Sequence, residues 1–183
     1  MGSLSTRDLS YAAVCTALIA AGAFITIPLG PVPFTLQPMF VLLAGLILGP
    51  RLGALSVVAY LILGLVAPVY AGGTSGLGVL LGPTGGYLIG FVFGAALAGA
   101  VGRSREPRAS RLIAGGLAGL VPIYTLGALW LAVSLQTSDI RVILIGGVLQ
   151  FLPFDVIKAV AAGLIALSVA RSPLRLSAPE RGR

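Results

Sequence analysis

The chain of 183 residues has no histidine, one cysteine and five acidic residues. Histidine is the commonest general base and metal ligand near neutral pH. Its absence argues against a Ser/His intramembrane protease and a histidine-ligated metal site. Of the five carboxylates only Asp155 lies in an apolar stretch, which argues against a two-aspartate protease and a metal-dependent lipid transferase. Cys15 has no partner for an internal disulfide, so the fold is not stapled. No glycine-rich Lys-Ser/Thr phosphate loop is present, so any use of ATP must come from a partner. Charge is scarce as well, at 9% of residues, against about 25% in soluble globular domains. An ordinary soluble enzyme, a disulfide scaffold and a coiled coil are excluded.

What is present is apolar: 57% of residues are hydrophobic, and glycine (26) and proline (12) together make about a fifth of the chain. Such a chain is too apolar to be disordered. It reads as a polytopic membrane protein. One crossing takes ~20 helical residues, so the length allows roughly six or seven crossings and no separate soluble domain. Backbone groups in lipid are satisfied only in helices or closed barrels. The apolar runs are continuous rather than alternating, which selects helices.

The expected architecture is all-α, one integral membrane domain over 1–183, with six transmembrane helices. Their approximate bounds are 9–29, 36–49, 54–70, 83–102, 112–135 and 153–170. Three prolines in Ile27-Pro-Leu-Gly-Pro-Val-Pro33 break the chain after the first span, and Gly49-Pro-Arg-Leu-Gly53 is a tight turn. Residues 71–82 hold five glycines and no charge, a candidate binding loop. Residues 142–152 are expected as a loop element or short helix at the membrane edge, ahead of a last span that starts at Pro153. The first ten residues lack a basic n-region followed by a cleavage site, so Met1 is expected to be the mature start.

The net charge of +7 would suit nucleic acid, but its placement points to the lipid bilayer instead. With both termini in the cytoplasm, ten of the twelve basic residues fall inside: Arg7, Arg51, four in the 103–111 loop, Arg171, Arg175, Arg181 and Arg183. Arg141 alone falls outside, and Lys158 lies in a span. This is a strong positive-inside bias. It gathers segments 27–35, 71–82 and 136–152 on the outer face.

Asp155 and Lys158 are the acid and base within one apolar span, three residues apart and therefore on one helix face. Ionisable groups inside a membrane are costly and usually mark a substrate or ion path. An ion pair that only locks helix packing is the alternative. The functional reading is favoured because both lie in the first turns of the span, near the outer face. Asp155 offers an acceptor for ligand N–H groups, Lys158 a cation for a ligand carboxylate. Thr35 and Gln37 stand at the mouth of the second span, as site residues or as water-facing loop residues. Small residues recur every fourth position at Gly86, Gly90, Gly94, Ala98 and Gly102, which suits close helix packing. Tyr87 lines a pocket or anchors the membrane interface. Ala13, Ala17 and Ala21 form a flat stripe, for internal packing or for a partner's helices.

Four blocks in order, Pro31-Val-Pro-Phe-Thr-Leu-Gln37, Tyr70-Ala-Gly-Gly73, Gly82-Pro-Thr-Gly-Gly-Tyr-Leu-Ile-Gly-Phe91 and Phe151-Leu-Pro-Phe-Asp-Val-Ile-Lys-Ala159, resemble the BioY family. These are the biotin-binding S components of energy-coupling-factor (ECF) vitamin transporters. The resemblance implies a compact six-helix S-component bundle in the plasma membrane, with no enzyme activity and no cofactor. Biotin would be the transported ligand, and the partners a transmembrane coupling protein and two cytoplasmic ATPase subunits. It further implies that Asp155 binds the ureido N–H groups and Lys158 the valerate carboxylate, with Gln37 and Tyr87 as further polar contacts. Gly73 and Thr74 would close over the ring system, and Ala13, Ala17 and Ala21 would dock the coupling protein. The competing expectations are another small vitamin, a stand-alone proton-coupled transporter working through Asp155, and an assembly protein without ligand.

Overall fold

The computed structural model describes residues 4–104 and 106–172. The first helix, α1 (Thr6–Phe24), is set by a capping box: Ser5 Oγ accepts from the Asp8 amide and Asp8 Oδ2 accepts from the Ser5 amide, both at 3.1 Å. The helix therefore starts three residues before the expected 9. It stops at Phe24, short of 29, because Thr26–Ile27 (β1) pairs antiparallel with Phe34–Thr35 (β2). The three prolines lie between these two short strands, where no helical N–H is needed.

Helix α2 (Gln37–Leu48) takes Pro38 in its first turn and ends at Gly49, whose φ of 84° is open to glycine at little cost. Pro50 then opens α3 (Pro50–Val66), four residues ahead of the expected 54. Residues 71–82 are more ordered than a plain loop: Ala71–Gly73 form a 3-10 turn and Leu77–Leu81 a short helix, α4. After α5 (Gly85–Gly102) and α6 (Ala109–Ser134) comes α7 (Ile140–Leu144), capped by Asp139 Oδ1, which accepts from the Arg141 amide at 2.8 Å. A single π-turn (Ile145–Leu149) leads into α8 (Leu152–Arg171). Segment 142–152 is thus helical, as the sequence allowed.

By length and composition three stretches can cross a bilayer: α5, α6 and the continuous 140–171 segment; α2 and α3 are apolar but shorter. The bundle closes on its glycines. A Cβ added at Gly90 would stand 2.8 Å from the Cα of Ile123, and one at Gly94 2.8 Å from the carbonyl oxygen of Gly119. The four-residue stripe on α5 is therefore a helix-packing face against α6. Toward the other end of α5, Gly99 meets Gly49 and Pro50, and Gly102 meets Leu46 and Leu112. That end carries Arg51, Arg103, Arg108 and Arg111. The opposite end gathers β1, β2, α4, the π-turn and the first turns of α2, α5 and α8.

Candidate ligand-binding site

At that second end lies a cavity of about 600 Å³, its open mouth included. Its wall is mainly apolar, with Val32, Phe34, Leu88, Phe91, Ile123 and Phe151 among its members. The polar groups are few: Thr35 and Gln37 from the hairpin and α2, Tyr70 after α3, Thr84 and Tyr87 around the start of α5, Tyr124 from α6, and Asp155 and Lys158 from α8.

The α8 pair is the centre of this set. Lys158 Nζ donates to Asp155 Oδ1 at 2.7 Å, and each side chain is only 7% exposed. A buried pair must have its remaining donors and acceptors met. The same Nζ donates to the Thr35 carbonyl oxygen at 2.6 Å and stands 3.7 Å from the centre of the Phe34 ring. On the other side, the Tyr124 hydroxyl donates to Asp155 Oδ2 at 2.7 Å. The pair is thus clamped between the β2 strand and α6. Two of the three ammonium donors and one acceptor position on each carboxylate oxygen are engaged by these hydrogen bonds.

Gln37 belongs to a second chain of contacts. Its Nε2 donates to the Tyr60 hydroxyl at 2.6 Å, its Oε1 accepts from the Thr35 hydroxyl at 3.2 Å, and Tyr60 in turn donates to the Val69 carbonyl oxygen at 3.2 Å. Tyr60 is fully buried and meets Tyr70 edge-on at 5.5 Å. Tyr70, whose hydroxyl donates to the Leu61 carbonyl oxygen at 2.7 Å, forms part of the cavity wall. These bonds fix the start of segment 67–74 to α3.

Tyr87 is a buried wall residue rather than an interface anchor; its hydroxyl donates to the Gly147 carbonyl oxygen at 2.7 Å. The structure brings together Asp155, Lys158, Gln37, Thr35 and Tyr87. Gly73 and Thr74 stand beside this group but outside the lining. The 71–82 segment contributes Ala71 and Val79 instead, while the Thr74 hydroxyl turns back to the Ala71 carbonyl oxygen at 3.0 Å. Ala13, Ala17 and Ala21 are exposed on one face of α1, opposite the buried Ala12, Cys15, Thr16, Ile19 and Ala23. Internal packing does not account for that stripe. Sequence reading missed Tyr124 and Phe34 as partners of the pair. A tyrosine within an apolar span was the available signal for the first, and Phe34 lay inside a motif already singled out.

The family model of the BioY family matches residues 1–174. A biotin transporter BioY from Thermotoga maritima is 48% identical over 88% of this chain and 94% of its own length. A probable biotin transporter BioY from Pyrococcus horikoshii is 42% identical, over 89% of this chain and 96% of its own. Among solved structures, the S-component for biotin from an ECF-type ABC transporter superposes with a TM-score of 0.82 at 32% identity, over 93% of this chain and 96% of that one. The resemblance carried by four short blocks extends through the fold, and the chain belongs to the BioY family.

Proposed function

We propose that this protein is the high-affinity biotin-binding membrane subunit of an ECF-type biotin uptake transporter, without enzymatic activity of its own. The carrying observation is the buried Asp155–Lys158 pair, 2.7 Å apart in the wall of an otherwise apolar cavity. Biotin is an apolar bicycle with two N–H donors, a carbonyl and a carboxylate on an alkyl chain. Asp155 accepts from a ureido N–H, and Lys158, 2.7 Å away, takes the carboxylate of a valerate chain folded back toward the ring. When the site is empty the two charges satisfy each other. Gln37, Thr35 and Tyr87 complete the polar contacts, and Gly73 and Thr74 close over the mouth once the ring system is seated.

The protein crosses the plasma membrane six times, through α1, α2, α3, α5, α6 and α8, with both termini in the cytoplasm and the cavity at the outer face. The arginines at the opposite end support that orientation. The exposed Ala13, Ala17 and Ala21 face receives the transmembrane coupling protein, which links this subunit to two cytoplasmic ATPases. Biotin titration of the detergent-solubilised protein, unsubstituted and Asp155→Asn, tests the assignment. Tight one-to-one binding that the substitution abolishes is expected. Tight binding that survives moves the ureido contact away from Asp155, and absence of binding in both proteins overturns biotin as the ligand.

A further inference from the structure

The cavity wall contains three tyrosines, and their hydroxyl protons go to different kinds of acceptor. Tyr70 and Tyr87 donate to the backbone carbonyls of Leu61 and Gly147. Tyr124 donates to a side chain, Asp155 Oδ2, across the gap between α6 and α8. We propose that Tyr124 is a positioning residue for ligand recognition, fixing the Asp155 carboxylate so that an unused acceptor position faces an N–H donor of a cyclic urea. The inference rests on the biotin reading above and adds to it a residue from another helix.

A carboxylate has about four acceptor positions. Lys158, one helical turn along the same helix, takes one on Oδ1, and Tyr124 takes one on Oδ2. Held from its own helix and from across the bundle, the carboxylate cannot rotate about its Cβ–Cγ bond without breaking a short charge-assisted bond. Two positions remain, and one of them suffices for an N–H of a cyclic urea, whose two N–H bonds diverge on either side of the carbonyl. Phenylalanine at 124 keeps the ring and deletes the donor. Asp155 is then tethered by Lys158 alone, and part of the ligand's binding energy goes into ordering it.

The test is a double-mutant cycle on the full-length protein in detergent, titrated with biotin up to millimolar concentration: unsubstituted, Tyr124→Phe, Asp155→Asn and both together. Tyr124→Phe is expected to weaken biotin binding at least about tenfold, the scale of a hydrogen bond to a charged group, and to cause no further loss once Asp155 is Asn. Equal loss in both backgrounds, or no loss in the first, overturns the positioning role while leaving the biotin assignment standing. If the unsubstituted protein fails to bind biotin, both fall. Where the Asn variants bind too weakly to titrate, infrared difference spectra decide. The Asp155 carboxylate band must shift in unliganded Tyr124→Phe, and a band that stays in place overturns the inference.

Discussion

Replacing Lys158 with methionine separates a ligand site from a structural lock. Methionine keeps most of the apolar stem and removes the ammonium, which donates to Asp155 Oδ1 at 2.7 Å and to the Thr35 carbonyl oxygen at 2.6 Å and lies 3.7 Å over Phe34. The Asp155 carboxylate is left buried with Tyr124 as its partner, and the Thr35 carbonyl loses its donor. Removing one member of a buried pair costs about 3–5 kcal/mol, because the other charge stays desolvated. Replacing both members by apolar residues removes that penalty and is often neutral or stabilising by about 1–4 kcal/mol. In Asp155→Leu/Lys158→Met the Tyr124 hydroxyl and the Thr35 carbonyl lose partners, at about 1–3 kcal/mol each. The double variant is therefore expected close to the unsubstituted protein in stability and well above Lys158→Met. Thermal unfolding of the empty protein in detergent gives the ranking, and biotin titration of the same samples gives binding, which both variants should lose. A double variant as unstable as Lys158→Met would refute the reasoning, since the pair would then be holding α8 in place. A Lys158→Met variant as stable as the unsubstituted protein would refute it differently, by showing that water reaches the pair.

Two further outcomes test the wall and the outer surface. A Cβ at Gly127 would collide with the ring of Tyr87, so Gly127→Ala is expected to cost about 1–3 kcal/mol, displace the tyrosine from Gly147 and lower biotin affinity. Unchanged unfolding and titration would show that the ring has room to move. Ala17→Trp places a large side chain on the exposed stripe of α1, away from the cavity. Biotin binding should be retained and ATPase-driven uptake into cells lost; retained uptake would place the docking face elsewhere.

The fold was legible to the extent that hydrophobicity marks helices. The ends of those helices are set by other chemistry. Leu9 is the first residue of a long apolar run, but the Ser5–Asp8 capping box sets the helix start at Thr6. The run from 24 to 29 stays apolar, yet pairing of Thr26 with Thr35 draws it out of α1 and into a strand. Pro50 opens α3 because a first-turn residue needs no N–H partner, which a reading by hydropathy alone passes over. The glycines of α5 were readable as a packing stripe from their spacing; their partner helix was not read, although α6 carries Gly115, Gly119 and Gly127 at multiples of the same four-residue spacing.

The candidate site divides along the same line. Asp155 and Lys158 stood out because one helical turn joins them and the surrounding span is otherwise uncharged, so chain-local geometry was sufficient. Their other partners are remote in sequence: Tyr124 is 31 residues from Asp155, and the Thr35 carbonyl 123 residues from Lys158. No periodicity links such positions, and a backbone carbonyl has no sequence signature at all. Yet these remote contacts allow two ionisable side chains to stay buried in an apolar bundle while empty, with no buried side-chain nitrogen or oxygen among the described residues left unpartnered. On the proposed reading, a ligand entering the cavity improves on the empty site by offering a hydrogen-bond donor to Asp155 and an acceptor to Lys158. An apolar molecule of the right size gains only the wall, and a bare anion meets Asp155. On that reading, discrimination by the pair is a property of the clamp around it, which only the assembled helices create.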